Sequence, residues 1–181
     1  MCALFKEHGI PVFDSDAEAK RLYDDPEIKA LMVGRFGVDI YDAEGHLDRP
    51  RLARILFSDS CALGYVEHHL YPVLNARFSS WADQQEAPFV LYESALIFEK
   101  HLESMFDAVI VVAASEPVRI RRVMERDHCT EEQVRARMAL QMSQSEKLTK
   151  ADFVIVHDAD DEDAFLRQQV LDIETKFNFL T

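Results

Sequence analysis

The sequence predicts an α/β fold in which a parallel sheet is covered on both faces by helices. Two runs carry that prediction: Ala108-Val109-Ile110-Val111-Val112-Ala113 and Phe153-Val154-Ile155-Val156 are short, continuous and rich in β-branched residues, as strands buried on both faces are. Pro11-Val12-Phe13 and Phe89-Val90-Leu91-Tyr92 read as two more strands with weaker patterning. Long amphipathic stretches lie between them, and strands that alternate with helices are most simply arranged as one parallel sheet. With 181 residues, 48% of them hydrophobic, the chain suffices for one core and a small helical insertion.

Taken in order, Cys2 to Glu7 read as the end of a helix, stopped by His8 and Gly9 before the strand entry at Ile10-Pro11-Val12. Nothing precedes it to cap or start that helix, so the sequence is expected to begin within an element. From Ala17 to Ala87 only helical periodicity is present, broken at Gly34, Gly37, Gly45, Pro50 and Pro72. This interval predicts a helical insertion over one edge of the strand tips. A second helical excursion, Pro117 to Lys150, carries Arg119, Arg121, Arg122, Arg126, Arg135 and Arg137. Guanidinium groups gathered in an acidic protein suggest a phosphate-facing lid. The alternative is a solvated helix face balanced by Glu116, Glu125, Glu131 and Glu132. The acidic run Asp158-Ala159-Asp160-Asp161-Glu162-Asp163 predicts a loop and a helix N-terminus.

A formal charge of −13 disfavours nucleic-acid backbones and anionic lipid, so an anionic ligand must be held by a local basic site. Cys2, Cys61 and Cys129 are scattered singly, without zinc-site or disulfide spacing. No apolar run approaches the roughly 18 residues that span a bilayer. A soluble, cytoplasmic protein with reduced thiols is expected, with no membrane or nucleic-acid partner. Nothing in the sequence sets an oligomeric state.

Ligands of open parallel sheets bind beyond the carboxyl ends of the strands. Asp14-Ser15-Asp16 and Glu93-Ser94 stand there, after two of the predicted strands. Asp16 is the candidate catalytic carboxylate, able to accept the proton of an attacking hydroxyl. Helix N-capping is the competing use for Asp14 or Asp16, because Ala17-Glu18-Ala19-Lys20 follows. Arg49 precedes a helix started by Pro50 and can reach an anionic substrate, unless it only pairs with Asp48. His68-His69 with Glu67 is too small a ligand set for a metal, so no protein metal site is expected. The five glycines form no GxGxxG and no Gly-x-x-x-x-Gly-Lys-Ser/Thr loop.

In order, the segments Gly9 to Asp16, Gly45-His46-Leu47-Asp48-Arg49, Tyr71-Pro72 and Glu93 to Glu99 resemble the dephospho-CoA kinase family. The resemblance continues through Arg126-Asp127, Arg137 to Ser143 and Glu146 to Ile155, and covers nearly the whole chain. It implies a three-layer parallel sheet of P-loop kinase type, with a core at 1–16, 88–116 and 151–181, a CoA-binding insertion at 17–87 and a lid at 117–150. It implies ATP with Mg²⁺, and phosphorylation of the ribose 3′-hydroxyl of dephospho-CoA. By the same resemblance Asp16 is catalytic, Arg49, Arg77 and Glu93 are substrate-binding, and Arg126 and Arg137 belong to the lid at the ATP phosphates. Tyr71-Pro72 stands where many relatives have His-Pro, and Glu93-Ser94-Ala95-Leu96-Ile97 where many have an Asp-Ile-Pro-Leu-Leu type of segment.

The family's first strand and phosphate loop are expected to be missing. That strand would lie in mid-sheet, and unsatisfied buried backbone groups cost about 1–3 kcal/mol each. Residues 1–181 alone are therefore expected to be unstable or rearranged and to show negligible kinase turnover. A non-catalytic CoA- or nucleotide-binding module and a related small-molecule P-loop kinase are the competing classes.

Overall fold

A computed structural model describes residues 1–158 and 163–178, the side chain of Asn178 excepted. Most of the acidic run expected to open a helix, 159–162, lies outside the described residues. The described elements are α1 (Cys2–Glu7), β1 (Val12–Asp14), α2 (Ser15–Leu22), α3 (Pro26–Phe36), α4 (Arg49–Ser58), α5 (Ser60–Ala82), β2 (Leu91–Glu93), β3 (Ile110–Ala113), α6 (Glu116–Asp127), α7 (Glu131–Ala139), α8 (Gln144–Lys150), β4 (Phe153–Val156) and α9 (Asp163–Asn178), with two short 3-10 turns. They fall into two compact units, one of residues 11–93 and one of residues 1–10 with 94–181.

In the first of these, β1 and β2 pair in parallel, with Val12 against Leu91 and Asp14 against Glu93. Phe13 points inward and meets Phe78, Trp81 and Tyr92 at centroid distances of 5.3, 5.4 and 5.6 Å. Behind it α2, α3 and α5 bury Leu22, Ile28, Met32, Val66, Leu70 and Leu74. Each of the four helices is started by an aspartate: Asp14, Asp25, Asp48 and Asp59 accept from backbone N–H groups of α2, α3, α4 and α5. An aspartate cap satisfies an orphan donor of the first turn, worth about 1 kcal/mol. The interval 17–87 holds these helices and a single isolated bridge, Tyr41 to Leu47, as its helical periodicity predicts.

In the second unit β3 and β4 pair in parallel, Ile110 against Phe153 through Ala113 against Val156. The continuous apolar runs predict strands covered on both faces. Instead Val111, Ala113 and Ile155 are buried, while Val112, Val154 and Val156 are each more than 40% exposed. A two-stranded sheet gives each strand one hydrogen-bonded neighbour, and its packing helices cover it only in part. The backbone of Val156 is closed by α9, where Gln169 Nε2 donates to its carbonyl and Gln169 Oε1 accepts from its N–H, both at 2.9 Å. Helix α1 packs on α9 through Arg167, which donates to Glu7 at 2.8 Å. It stops at Gly9, whose φ of +81° is a conformation that favours glycine.

Candidate active site

The strand tips of the first unit decide between the two aspartates. Asp14 has extended backbone and its carboxylate accepts from Ala17 N–H at 2.8 Å, so Asp14 is the cap of α2. Asp16 is left exposed in the first turn of the same helix. Between them, the buried Ser15 donates its hydroxyl proton to the Glu93 carbonyl at 2.7 Å and is also hydrogen-bonded with Tyr92. This bond ties the α2 entry to the end of β2. Ser15→Ala is expected to destabilise the protein by about 1–2 kcal/mol, read as a lower denaturant midpoint at unchanged slope.

Two phenols, Tyr71 and Tyr92, feel the charge of Asp16. Burial pushes the Tyr71 hydroxyl up to about 12, with the charges of Glu67, Tyr92, Asp16 and Tyr23 adding to the shift. Burial likewise raises Tyr92, against its bond with Ser15 and with help from Asp16. Both rings stay protonated at neutral pH and can donate hydrogen bonds but take up no proton. Arg49 is the exposed first residue of α4, its Nη2 donating to the Lys20 carbonyl at 3.4 Å. It lies close enough to Tyr23 to oppose the rise that burial causes there. Asp48 does not pair with it, because the Asp48 carboxylate accepts from Arg51 N–H at 2.9 Å. Arg77 is engaged elsewhere: it donates to Asp25 at 2.8 Å and so joins α5 to the cap of α3. Asp16, Glu93 and Arg49 thus share one region of this unit with Tyr23, Tyr71 and Tyr92, and Arg77 pairs with Asp25.

The second unit holds the arginines of 117–150. Helix α6 ends at Asp127, and His128, at φ 51° and ψ 42°, turns the chain into α7. Arg126 donates to both carboxylate oxygens of Asp127, at 2.7 and 3.2 Å, and Arg137 Nη1 donates to the same group at 2.7 Å. The bonds from Arg126 and Arg137 hold the Asp127 carboxyl down to about 2. A depressed carboxylate contributes stability above its ordinary value of 3.8 and loses it as pH falls toward 2. The Asp127 carboxyl resonance is therefore expected to titrate near 2, and to move up toward 3.8 in Arg137→Ala.

The other arginines divide. Arg135 is balanced by Glu116 and Glu131, at 2.5 and 2.9 Å, as the solvated-face alternative holds. Arg122 donates to the carbonyls of His157 and Asp158, fixing α6 to the end of β4. Arg119 lines a cavity of about 390 Å³ beside Glu116, Arg135, Gln141 and Ser143, its Nε buried and without a hydrogen-bond partner among the described residues. At the foot of α8, Glu99 accepts from Met142 N–H at 2.9 Å and pairs with Lys147 at 2.7 Å. Burial pushes Glu99 up, and these bonds outweigh it. The described residues contain no group of three or more His, Cys, Asp or Glu that could hold a metal ion.

The family model for dephospho-CoA kinase matches residues 1–163. The chain belongs to that family. A dephospho-CoA kinase from Vibrio vulnificus is 33% identical over 176 residues, covering 96% of this chain and 86% of the relative. One from Porphyromonas gingivalis is 38% identical over 144 residues, covering 79% and 70%. The crystal structure of a Thermus thermophilus protein superposes with a TM-score of 0.84 at 31% identity, covering 97% of this chain and 88% of that one. The dephospho-CoA kinase of Campylobacter jejuni, at 23% identity and a TM-score of 0.66, shares the fold.

Sequence reasoning about this dephospho-CoA kinase family member missed Ser15, the phenols that feel Asp16 and the double engagement of Asp127. Ser15 and Asp127 stand inside the quoted motifs, but their burial and bonding carry no sequence pattern.

Proposed function

We propose that the native protein transfers the γ-phosphoryl group of ATP to the ribose 3′-hydroxyl of dephospho-CoA, giving coenzyme A and ADP, whereas residues 1–181 alone, which contain no Gly-x-x-x-x-Gly-Lys-Ser/Thr loop, are expected to show negligible turnover. The observation that carries this reading is the Asp16 carboxylate, exposed at a parallel strand tip because Asp14 has taken the capping role. The new bond joins the 3′-oxygen to phosphorus, the bond to the ADP oxygen breaks, and the hydroxyl proton passes to Asp16. Arg49, Arg77 and the strand-tip residue Glu93 serve the acceptor side, Arg77 while also donating to Asp25. Arg126 and Arg137 bring positive charge to the ATP phosphates, where charge neutralisation supplies most of the rate. Residues 17–87 serve as the acceptor-binding segment and 117–150 as the lid.

Mg²⁺ fits this donor set as a companion of ATP. Such an ion is bound through one or two carboxylates plus substrate phosphates, and Asp16 is an exposed carboxylate just beyond a strand tip. When bound it would neutralise charge on the phosphate oxygens. No helix among the described residues is long and apolar enough to cross a membrane.

The test is an acceptor comparison on the native protein. Dephospho-CoA with ATP and Mg²⁺ is expected to give coenzyme A and ADP, and adenylate or a shikimate-type acceptor to give nothing. Preference for another acceptor, or coenzyme A binding without turnover, would replace the reading by one of the competing classes.

A further inference from the structure

The two arginines at the end of α6 and in α7 do not use Asp127 alike. Arg126 spends its Nε–Nη2 edge on the carboxylate in a two-bond fork, so that edge is closed to any other anion. Arg137 offers only Nη1, and its Nε and Nη2 donors take no hydrogen bond among the described residues. A guanidinium binds phosphate best through two parallel N–H donors on one edge. Arg137 therefore keeps such an edge open while its opposite corner is pinned. Arg137 is 57% exposed and Asp127 25%, so the arginine is the more accessible partner of the pair. A long side chain held at one corner loses less rotamer freedom when a ligand takes the other edge.

We propose that Asp127 is a positioning residue for ATP, which presents the Nε–Nη2 edge of Arg137 to the phosphates, and that Arg126 clamps Asp127 in place. This rests on the proposed kinase reaction and adds to it a division of labour between the two arginines. Asp127 touches neither substrate; it acts through Arg137. The competing account is a surface ion-pair cluster with no bearing on the nucleotide, since exposed pairs contribute little on their own.

A double-mutant cycle on the native protein separates the two. In Asp127→Asn the KM for ATP is expected to rise about tenfold, the size of a coupling between residues in contact, while the KM for dephospho-CoA stays the same. In an Arg137→Ala background the same substitution is expected to change neither constant, and Asp127→Glu to recover part of the loss by restoring the charge. Wild-type kinetics in Asp127→Asn would overturn the proposal, as would an equal loss with and without Arg137. Should Arg137→Ala itself show wild-type kinetics, the lid reading of Arg137 falls, and the positioning proposal with it. Should Arg137→Ala be impaired and Asp127→Asn not, only the positioning proposal falls. Melting curves of all variants identify a loss that comes from unfolding.

Discussion

Asp16→Asn is expected to lower kcat by about 10²- to 10⁴-fold, the range for removal of a positioned general base, with little change in either KM or in melting temperature. Asparagine keeps the shape and can still hydrogen-bond the acceptor hydroxyl, but it takes up no proton near neutral pH. The neighbours do not replace it. Tyr71 stays protonated up to about 12, burial also raises Tyr92, and Asp14 is committed to the Ala17 N–H. Melting is unaffected because the cap of α2 belongs to Asp14, and Asp16 contributes only a favourable charge in the first turn of the helix. Steady-state kinetics with each substrate varied in turn check the result, and a variant within threefold of wild type would remove Asp16 from the reaction. Asp14→Asn provides the contrast: it alters a cap, so its effect belongs in stability.

That pair of aspartates shows where sequence reading stops. Asp14-Ser15-Asp16 offers two possible caps two residues apart, and composition does not choose between them. The backbone does, because the extended conformation at Asp14 aims its carboxylate at the N–H three residues on. The strands were legible from β-branched runs and the helical interval from its periodicity, since local propensity and pattern agree there. The expectation that Arg137 belongs to a lid comes from the gathered guanidinium groups and from the resemblance, and neither shows its bond to Asp127. A left-handed turn at His128 folds α7 back on α6 and brings residues ten apart in sequence together. The phenols of this site were hidden for a similar reason. Tyr23, Tyr71 and Tyr92 come from three separate parts of the unit, and their shared influence arises from packing.

Arg137→Ala is expected to lower kcat/KM for ATP by about 10²- to 10³-fold, the loss that follows removal of one preorganised donor to developing charge. The argument starts from chemistry: the transferred phosphoryl group passes through a loose transition state with charge on its equatorial oxygens, and the protein works mainly by placing positive charge there. In an acidic chain of net charge −13 that charge must be local. Of the arginines in 117–150, Arg135 is neutralised by two glutamates, Arg122 is bonded to backbone carbonyls, Arg126 forks onto Asp127, and Arg119 lines a cavity with its Nε buried and without a partner among the described residues. Arg137 keeps a donor edge available. Lysine at this position restores the charge but not the planar fork, so Arg137→Lys is expected to recover only part of the loss. Stability is expected to change little, because the side chain is more than half exposed. The decisive measurement is the ratio of effects on the two substrates. A loss confined to ATP supports contact with phosphate, and an equal loss for dephospho-CoA would mean that the substitution acts on the enzyme as a whole.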